Sequence, residues 1–74
     1  MFIKKTLMLN LVIAIDPVWG AELWRTNLGF NIFGPPTRKD STVYVGTLQG
    51  RLFALDAKTG AINWSFASDG YHAN

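Results

Sequence analysis

The segment Arg51-Leu52-Phe53-Ala54-Leu55 constrains this chain more than any other. Successive side chains of a strand point to opposite faces. Phe53 and Leu55 therefore share one face, and Leu52 and Ala54 share the other. A strand apolar on both faces needs a packing layer on each side, which a lone sheet in water cannot provide. Residues 61–67 read differently: Ile62, Trp64 and Phe66 face one way, Asn63 and Ser65 the other. That is the pattern of a half-solvated strand. The inner strand is sandwiched and the outer one is half wet.

The rest of the chain after residue 20 is punctuated in the same way, and no segment of it repeats its apolar residues at the helical period. Residues 42–47, Thr-Val-Tyr-Val-Gly-Thr, are β-branched or aromatic at most positions and form a strand. Residues 22–28 around Trp24 are a weaker strand candidate. Residues 30–33 form a short apolar run closed by Gly34-Pro35-Pro36. Two prolines cannot donate to a ladder, so that run ends there or lies at an edge. Arg38-Lys39-Asp40-Ser41 reads as a polar turn and Leu48-Gln49-Gly50 as a tight connection. Asp56-Ala57-Lys58-Thr59-Gly60 reads as a hairpin loop. Asp56 and Thr59 suit bonds to nearby backbone N–H groups, and Gly60 suits a left-handed position. An all-β chain whose inner strands are covered on both faces is what stacked propeller blades require. Trp24 and Trp64 lie 40 residues apart, close to the length of a four-stranded blade.

The first twenty residues read as an export segment. Lys4 and Lys5 precede the apolar run 6–15, Asp16-Pro17 breaks it, and Val18 and Gly20 supply small residues for cleavage after Gly20. The run is too short to span a bilayer, which takes about 20 apolar residues. This order predicts a signal peptide over 1–20, a periplasmic or secreted product starting at Ala21, and contact with a membrane only during export; the alternatives are an uncleaved signal anchor and a buried strand or helix of a cytosolic domain. Residues 21–74 keep five basic and four acidic side chains and show no basic stripe, so nucleic acid is not an expected partner.

Several chemistries are excluded or disfavoured. There is no cysteine, hence no disulfide, thiolate metal site or Cys nucleophile. His72 is the single histidine and stands near the end of the sequence without the partners that a metal site or general base needs. Ser41, Ser65 and Ser68 have no orienting histidine, and Gly46, Gly50 and Gly60 open no helix, which disfavours a phosphate loop. Asp40, Asp56 and Asp69 all fall in turn segments. No catalytic, cofactor-binding or metal-binding residue is expected.

Ala54-Leu55-Asp56-Ala57-Lys58-Thr59-Gly60-Ala61-Ile62-Asn63-Trp64 resembles the tryptophan-docking motif of quinoprotein-type (PQQ-like) β-propellers, Ala-x-Asp-x-x-Thr-Gly, three residues, then Trp. Val43-Tyr44-Val45-Gly46 and Gly50-x-Leu52-Phe53 look like the rest of the same repeat. The resemblance covers about residues 22–70, with Ala61 where the family often has Lys or Glu and Gly34-Pro35-Pro36 in place of a more usual Ser-Pro. It implies that Ala54, Asp56, Thr59, Gly60 and Trp64 are a structural docking motif. Asp56 and Thr59 would brace the turn, and the Trp64 ring would pack on a neighbouring blade.

It also implies an architecture: one four-stranded antiparallel blade from residues 30–37, 42–47, 51–56 and 61–67, plus one extra N-terminal strand at 22–28 belonging to another blade. A propeller repeat would then occupy 21–70, with 71–74 starting the link to a further blade. The chain looks like the opening of a longer propeller cut short, a fragment whose partners are other blades or proteins and which has a tendency to self-associate. In function it resembles a non-catalytic interaction scaffold, as in the outer-membrane assembly factor of this family. The alternative is the N-terminal fragment of a PQQ-dependent alcohol or sugar dehydrogenase. Only in that case would PQQ and calcium be cofactors, and the adjacent-cysteine disulfide of such enzymes is impossible here.

Overall fold

The computed structural model describes residues 2–5 and 10–67. Residues 6–9 of the apolar run, Ser68, Asp69, His72 and the link expected at 71–74 lie outside the described residues. Every regular element among the described residues is a strand: β1 (Phe2–Lys5), β2 (Leu11–Ile15), β3 (Glu22–Asn27), β4 (Ile32–Lys39), β5 (Thr42–Thr47), β6 (Arg51–Asp56) and β7 (Ile62–Ala67). They form two antiparallel sheets, β1-β2-β3 and β4-β5-β6-β7, each wound in sequence order.

The four-stranded sheet follows the expected blade, with two local differences. β4 lies at the edge of its sheet, one of the two outcomes expected for the proline run, and crosses the prolines as the expected strand 30–37 does. It runs on to Lys39, and Gly34-Pro35-Pro36 is accommodated as an irregularity between the paired residues Phe33 and Thr37. An edge strand tolerates this because one side of its ladder has no partner to serve. The turn after it is also tighter than Arg38-Lys39-Asp40-Ser41. Arg38 and Lys39 pair with Val43 and Thr42, which leaves only Asp40 and Ser41 outside the ladder. Asp40 has φ 56°, a left-handed conformation that Asp adopts more readily than most residues.

The main departure lies ahead of residue 21. One extra N-terminal strand was expected, and three are present. Residues 11–15, expected to be part of an export signal, form the central strand of the first sheet. Val12 and Ala14 are both fully buried. The physical reason is in the residues: Val12, Ile13 and Ile15 are β-branched and suit a pleated surface. Packing covers the Val12/Ala14 face and leaves Leu11, Ile13 and Ile15 half-buried on the other.

The core lies between the two sheets. Val12, Ala14, Trp24 and Leu28 from the first meet Val43, Val45, Phe53 and Leu55 from the second. The double-sided demand of β6 is met unevenly. Phe53 and Leu55 face the first sheet. On the opposite face Ala54 is buried between its cross-strand partners Tyr44 and Trp64, whose rings lie 6.3 Å apart, while Leu52 stays partly exposed. β7 is exposed along its whole length, on both faces and not on one.

Candidate functional site

The loop between β6 and β7 is a closed hydrogen-bonded unit. The Asp56 carboxylate accepts from the backbone N–H groups of Lys58 (2.7 Å) and Thr59 (3.3 Å). The Thr59 hydroxyl accepts from the Ala61 N–H at 3.2 Å. Gly60 N–H donates to the Asp56 carbonyl and Asp56 N–H to the Ala61 carbonyl, both at 2.8 Å. Ala57 N–H ties the loop to the Ser41 carbonyl at 2.9 Å. Gly60 has φ 79°, where glycine carries no Cβ penalty.

Trp24 of the first sheet lies on this loop. Its indole N–H donates to the Ala57 carbonyl at 2.9 Å, and the neighbouring Thr26 hydroxyl donates to the Gly60 carbonyl. The ring covers Gly60 so closely that a Cβ there would fall 2.5 Å from Trp24 Cδ2 and 2.8 Å from Thr26 Oγ1. The absent side chain of Gly60 thus serves twice: it permits the positive φ and makes room for the indole.

The same loop occurs a second time. Residues 14–24 repeat residues 54–64 at Ala14/Ala54, Asp16/Asp56, Gly20/Gly60, Ala21/Ala61 and Trp24/Trp64. The Asp16 carboxylate accepts from Val18 N–H (2.8 Å) and Trp19 N–H (3.2 Å), as Asp56 does from Lys58 and Thr59. Gly20 N–H donates to the Asp16 carbonyl and Asp16 N–H to the Ala21 carbonyl, again at 2.8 Å. Gly20 has φ 71°. Even the irregularity recurs: Leu23 is skipped in the β2–β3 register and Asn63 in that of β6–β7. The difference lies in what covers the loops. Trp24 covers Gly60, whereas a Cβ on Gly20 would meet nothing within 4 Å.

Of the residues singled out by sequence, Asp56, Thr59 and Gly60 come together in one loop, and Ala54 is buried in β6. Trp64 sits above Ala54, apart from the loop, and is 47% exposed, against 8% for Trp24. With Tyr44, Leu52 and Phe66 it forms an apolar surface on the face of the second sheet away from the first. Sequence reasoning missed Asp16, Gly20, Thr26 and the role of Trp24 as the ring over Gly60. The 40-residue offset that aligns the two tryptophans would have found the first two.

Electrostatics here is local. Glu22 and Arg25 form an exposed two-bond ion pair (2.7 and 2.8 Å). The hydrogen bond from Arg25, helped by its charge, holds the Glu22 carboxyl below its usual range, and the same contact raises Arg25. The Arg51 guanidinium lies 5.3 Å from the Phe30 ring centre and donates to the Ser65 hydroxyl at 3.1 Å. A shallow hollow of about 250 Å³ lies between Phe33, Thr47, Leu48 and Gly50.

The described residues do not gather a ligand set for calcium, one of the groups that the dehydrogenase resemblance implies. A calcium site gathers several oxygen ligands, carboxylates among them. Asp16 and Asp56 are engaged by their own loops, Glu22 by Arg25, and Asp40 stands in an exposed turn. No group of three or more acidic, His or Cys side chains converges among the described residues. Among those residues, too, no helix is long and apolar enough to cross a membrane.

Comparison with known proteins places this geometry. The family model described as outer membrane protein assembly factor BamB matches residues 9–73, which includes the first copy of the loop. The crystal structure of BamB from Moraxella catarrhalis superposes with a TM-score of 0.76 at 32% identity, over 81% of this chain and 18% of that one. Two enzymes of Pseudomonas putida are also similar. Quinohemoprotein alcohol dehydrogenase ADH IIB is 42% identical over 71 residues, and quinoprotein alcohol dehydrogenase PedH is 44% identical over 54 residues. These matches cover 73% and 72% of this chain, and the chain spans 9% of the length of either enzyme. With a family match across most of its residues and two stacked antiparallel sheets, the chain belongs to the PQQ-like β-propeller family that includes BamB.

Proposed function

We propose that this chain is a scaffold segment of a PQQ-like propeller, in which a tryptophan of one blade docks on the Asp-to-Gly loop of the next, and that its own residues serve assembly and protein interaction, not catalysis. One observation carries this reading: the Trp24 indole seals the Ala57–Gly60 part of the loop by ring contact and by the bond to the Ala57 carbonyl. On this reading Ala54, Asp56, Thr59 and Gly60 are the receiving half of a docking motif, and Trp64 is the donating half for a further blade. Other blades or proteins are the partners. A periplasmic or secreted location goes with it, supported by the outer-membrane assembly role named in the family's description.

A second reading has its own support. Identity to the two dehydrogenases reaches 42% and 44%, against 32% for the BamB structure. The segment would then be a structural part of a PQQ-dependent alcohol dehydrogenase, with the cofactor held by residues elsewhere in that enzyme. Titration of the chain with PQQ and calcium, followed by tryptophan fluorescence and a dye-linked alcohol oxidation assay, tests the scaffold reading. No saturable quenching and no turnover are expected. One-to-one quenching with turnover would refute a non-catalytic role for these residues.

A further inference from the structure

The repeat leaves both halves of one interface exposed on a single molecule. The second sheet presents Trp64 with Tyr44, Leu52 and Phe66 on its outer face. The first sheet presents the loop 16–20 with Gly20 uncovered, beside half-buried Ile13 and Ile15. Ile13 and Ile15 stand 40 positions before Phe53 and Leu55, which pack against the sheet bearing Trp24. Ala14 and Trp24 stand 40 positions before Ala54 and Trp64. The internal contact between the sheets can therefore be repeated outward.

We infer that the chain binds a second copy of itself head to tail, with Trp64 of one copy seated over Gly20 of the next. The inference rests on the docking reading above. Pro17 replaces Ala57 but keeps the carbonyl that would accept the Trp64 indole N–H. Phe66 stands where Thr26 stands and has no hydroxyl for the Gly20 carbonyl, so that hydrogen bond gives way to apolar contact. Val18 and Trp19 are 78% and 82% exposed at the tip of the receiving loop and widen its apolar surface. A contact between two different patches of the same molecule leaves each copy with one free patch of each kind. Such contacts build rings where the rotation closes and filaments where it does not.

Complementary variants test this in sedimentation equilibrium on the full 74-residue chain. Trp64→Ala removes the inserting ring. Gly20→Asn fills the seat, and Asn tolerates a left-handed backbone, so the fold is retained. The unaltered chain is expected to gain mass steadily with concentration. Each variant alone should lose at least tenfold in association constant and stay near 8.2 kDa. Mixed one to one, they should form a species of about twice that mass, because the Trp64 of Gly20→Asn fits the free Gly20 of Trp64→Ala. A monomeric unaltered chain overturns the proposal. So does a mixture that stays monomeric, and so does association that Gly20→Asn leaves unchanged, which indicates pairing of two Trp64 faces. If Trp24→Ala still destabilises the monomer in any of these cases, the docking reading stands and only self-association falls. If Trp24→Ala has no effect, the docking reading itself fails.

Discussion

Replacing Trp24 with alanine takes out the side chain that joins the two sheets. The indole is 8% exposed, lies against Gly60 and donates to the Ala57 carbonyl. A buried Trp→Ala change costs about 3–5 kcal/mol, and the orphaned carbonyl adds about 1 kcal/mol if water does not reach it. Domains of this kind hold only about 0.05–0.15 kcal/mol of stability per residue, so the loss takes much of the total. Trp64 is the internal control. It has the same residue type at the equivalent position, but it is 47% exposed and its indole rests on no loop. Trp64→Ala should cost about 1 kcal/mol or less. With a urea slope of about 1 kcal/mol/M for a small protein, the two midpoints should differ by about 2 M or more. The assay is urea unfolding followed by circular dichroism, at concentrations dilute enough to keep the chain monomeric. Equal midpoints for the two variants would refute the assignment of Trp24 as the joint between the sheets.

The two glycines should respond unequally to alanine: Gly60→Ala meets both strain and the Trp24 ring and should cost about 2–4 kcal/mol, whereas Gly20→Ala meets strain alone and should cost about 1 kcal/mol; thermal unfolding of both decides it. Asp16→Ala and Asp56→Ala each remove two loop hydrogen bonds and should cost about 1–2 kcal/mol, with slower-exchanging amides at 58 and 59 becoming fast in hydrogen exchange of the Asp56 variant. A chain beginning at Ala21, as cleavage after Gly20 would leave it, loses β1, β2 and the buried Val12 and Ala14; it should show no cooperative unfolding transition, while intact mass of the protein recovered from cells shows whether residues 1–20 are kept. The Glu22 carboxyl is held below its usual range by Arg25, so its small stabilising contribution is complete above the ordinary glutamate pKa and disappears as pH falls through the lowered folded value; Glu22→Gln should remove that part of the acid limb in a pH series of unfolding midpoints.

The second sheet was legible because its residues agree at every level. Thr42–Thr47 is β-branched and alternating, and the loop after Asp56 carries an Asp, a Thr and a Gly at the offsets its hydrogen bonds need. The first sheet was harder to read for a physical reason. β2 is Leu-Val-Ile-Ala-Ile, apolar on both faces, so its alternation cannot be seen, and two lysines stand ahead of it. Basic residues followed by an apolar run also describe an export segment. The loop after it hides its kinship too: Pro17, Val18 and Trp19 stand where Ala57, Lys58 and Thr59 stand, and only Asp16 and Gly20 keep the hydrogen-bonding frame. Thr26 was illegible from sequence, since its hydroxyl acts on a carbonyl 34 residues away. The turn at Arg38 to Ser41 is shorter than its polar composition suggests because charged residues suit an edge strand as well as a loop.

The link between β3 and β4 is only residues 28–31, with Leu28 buried. A tether this short holds one sheet at an effective concentration on the order of millimolar or more over the other. Trp24 therefore finds its loop without competition from other molecules, and its occupancy is independent of how much protein is present. Trp64 has no such tether to Gly20 of a neighbour. Two contacts built from nearly the same residues are thus governed by different variables, chain connectivity for one and protein concentration for the other. Dilution should empty the outer contact while leaving the inner one filled.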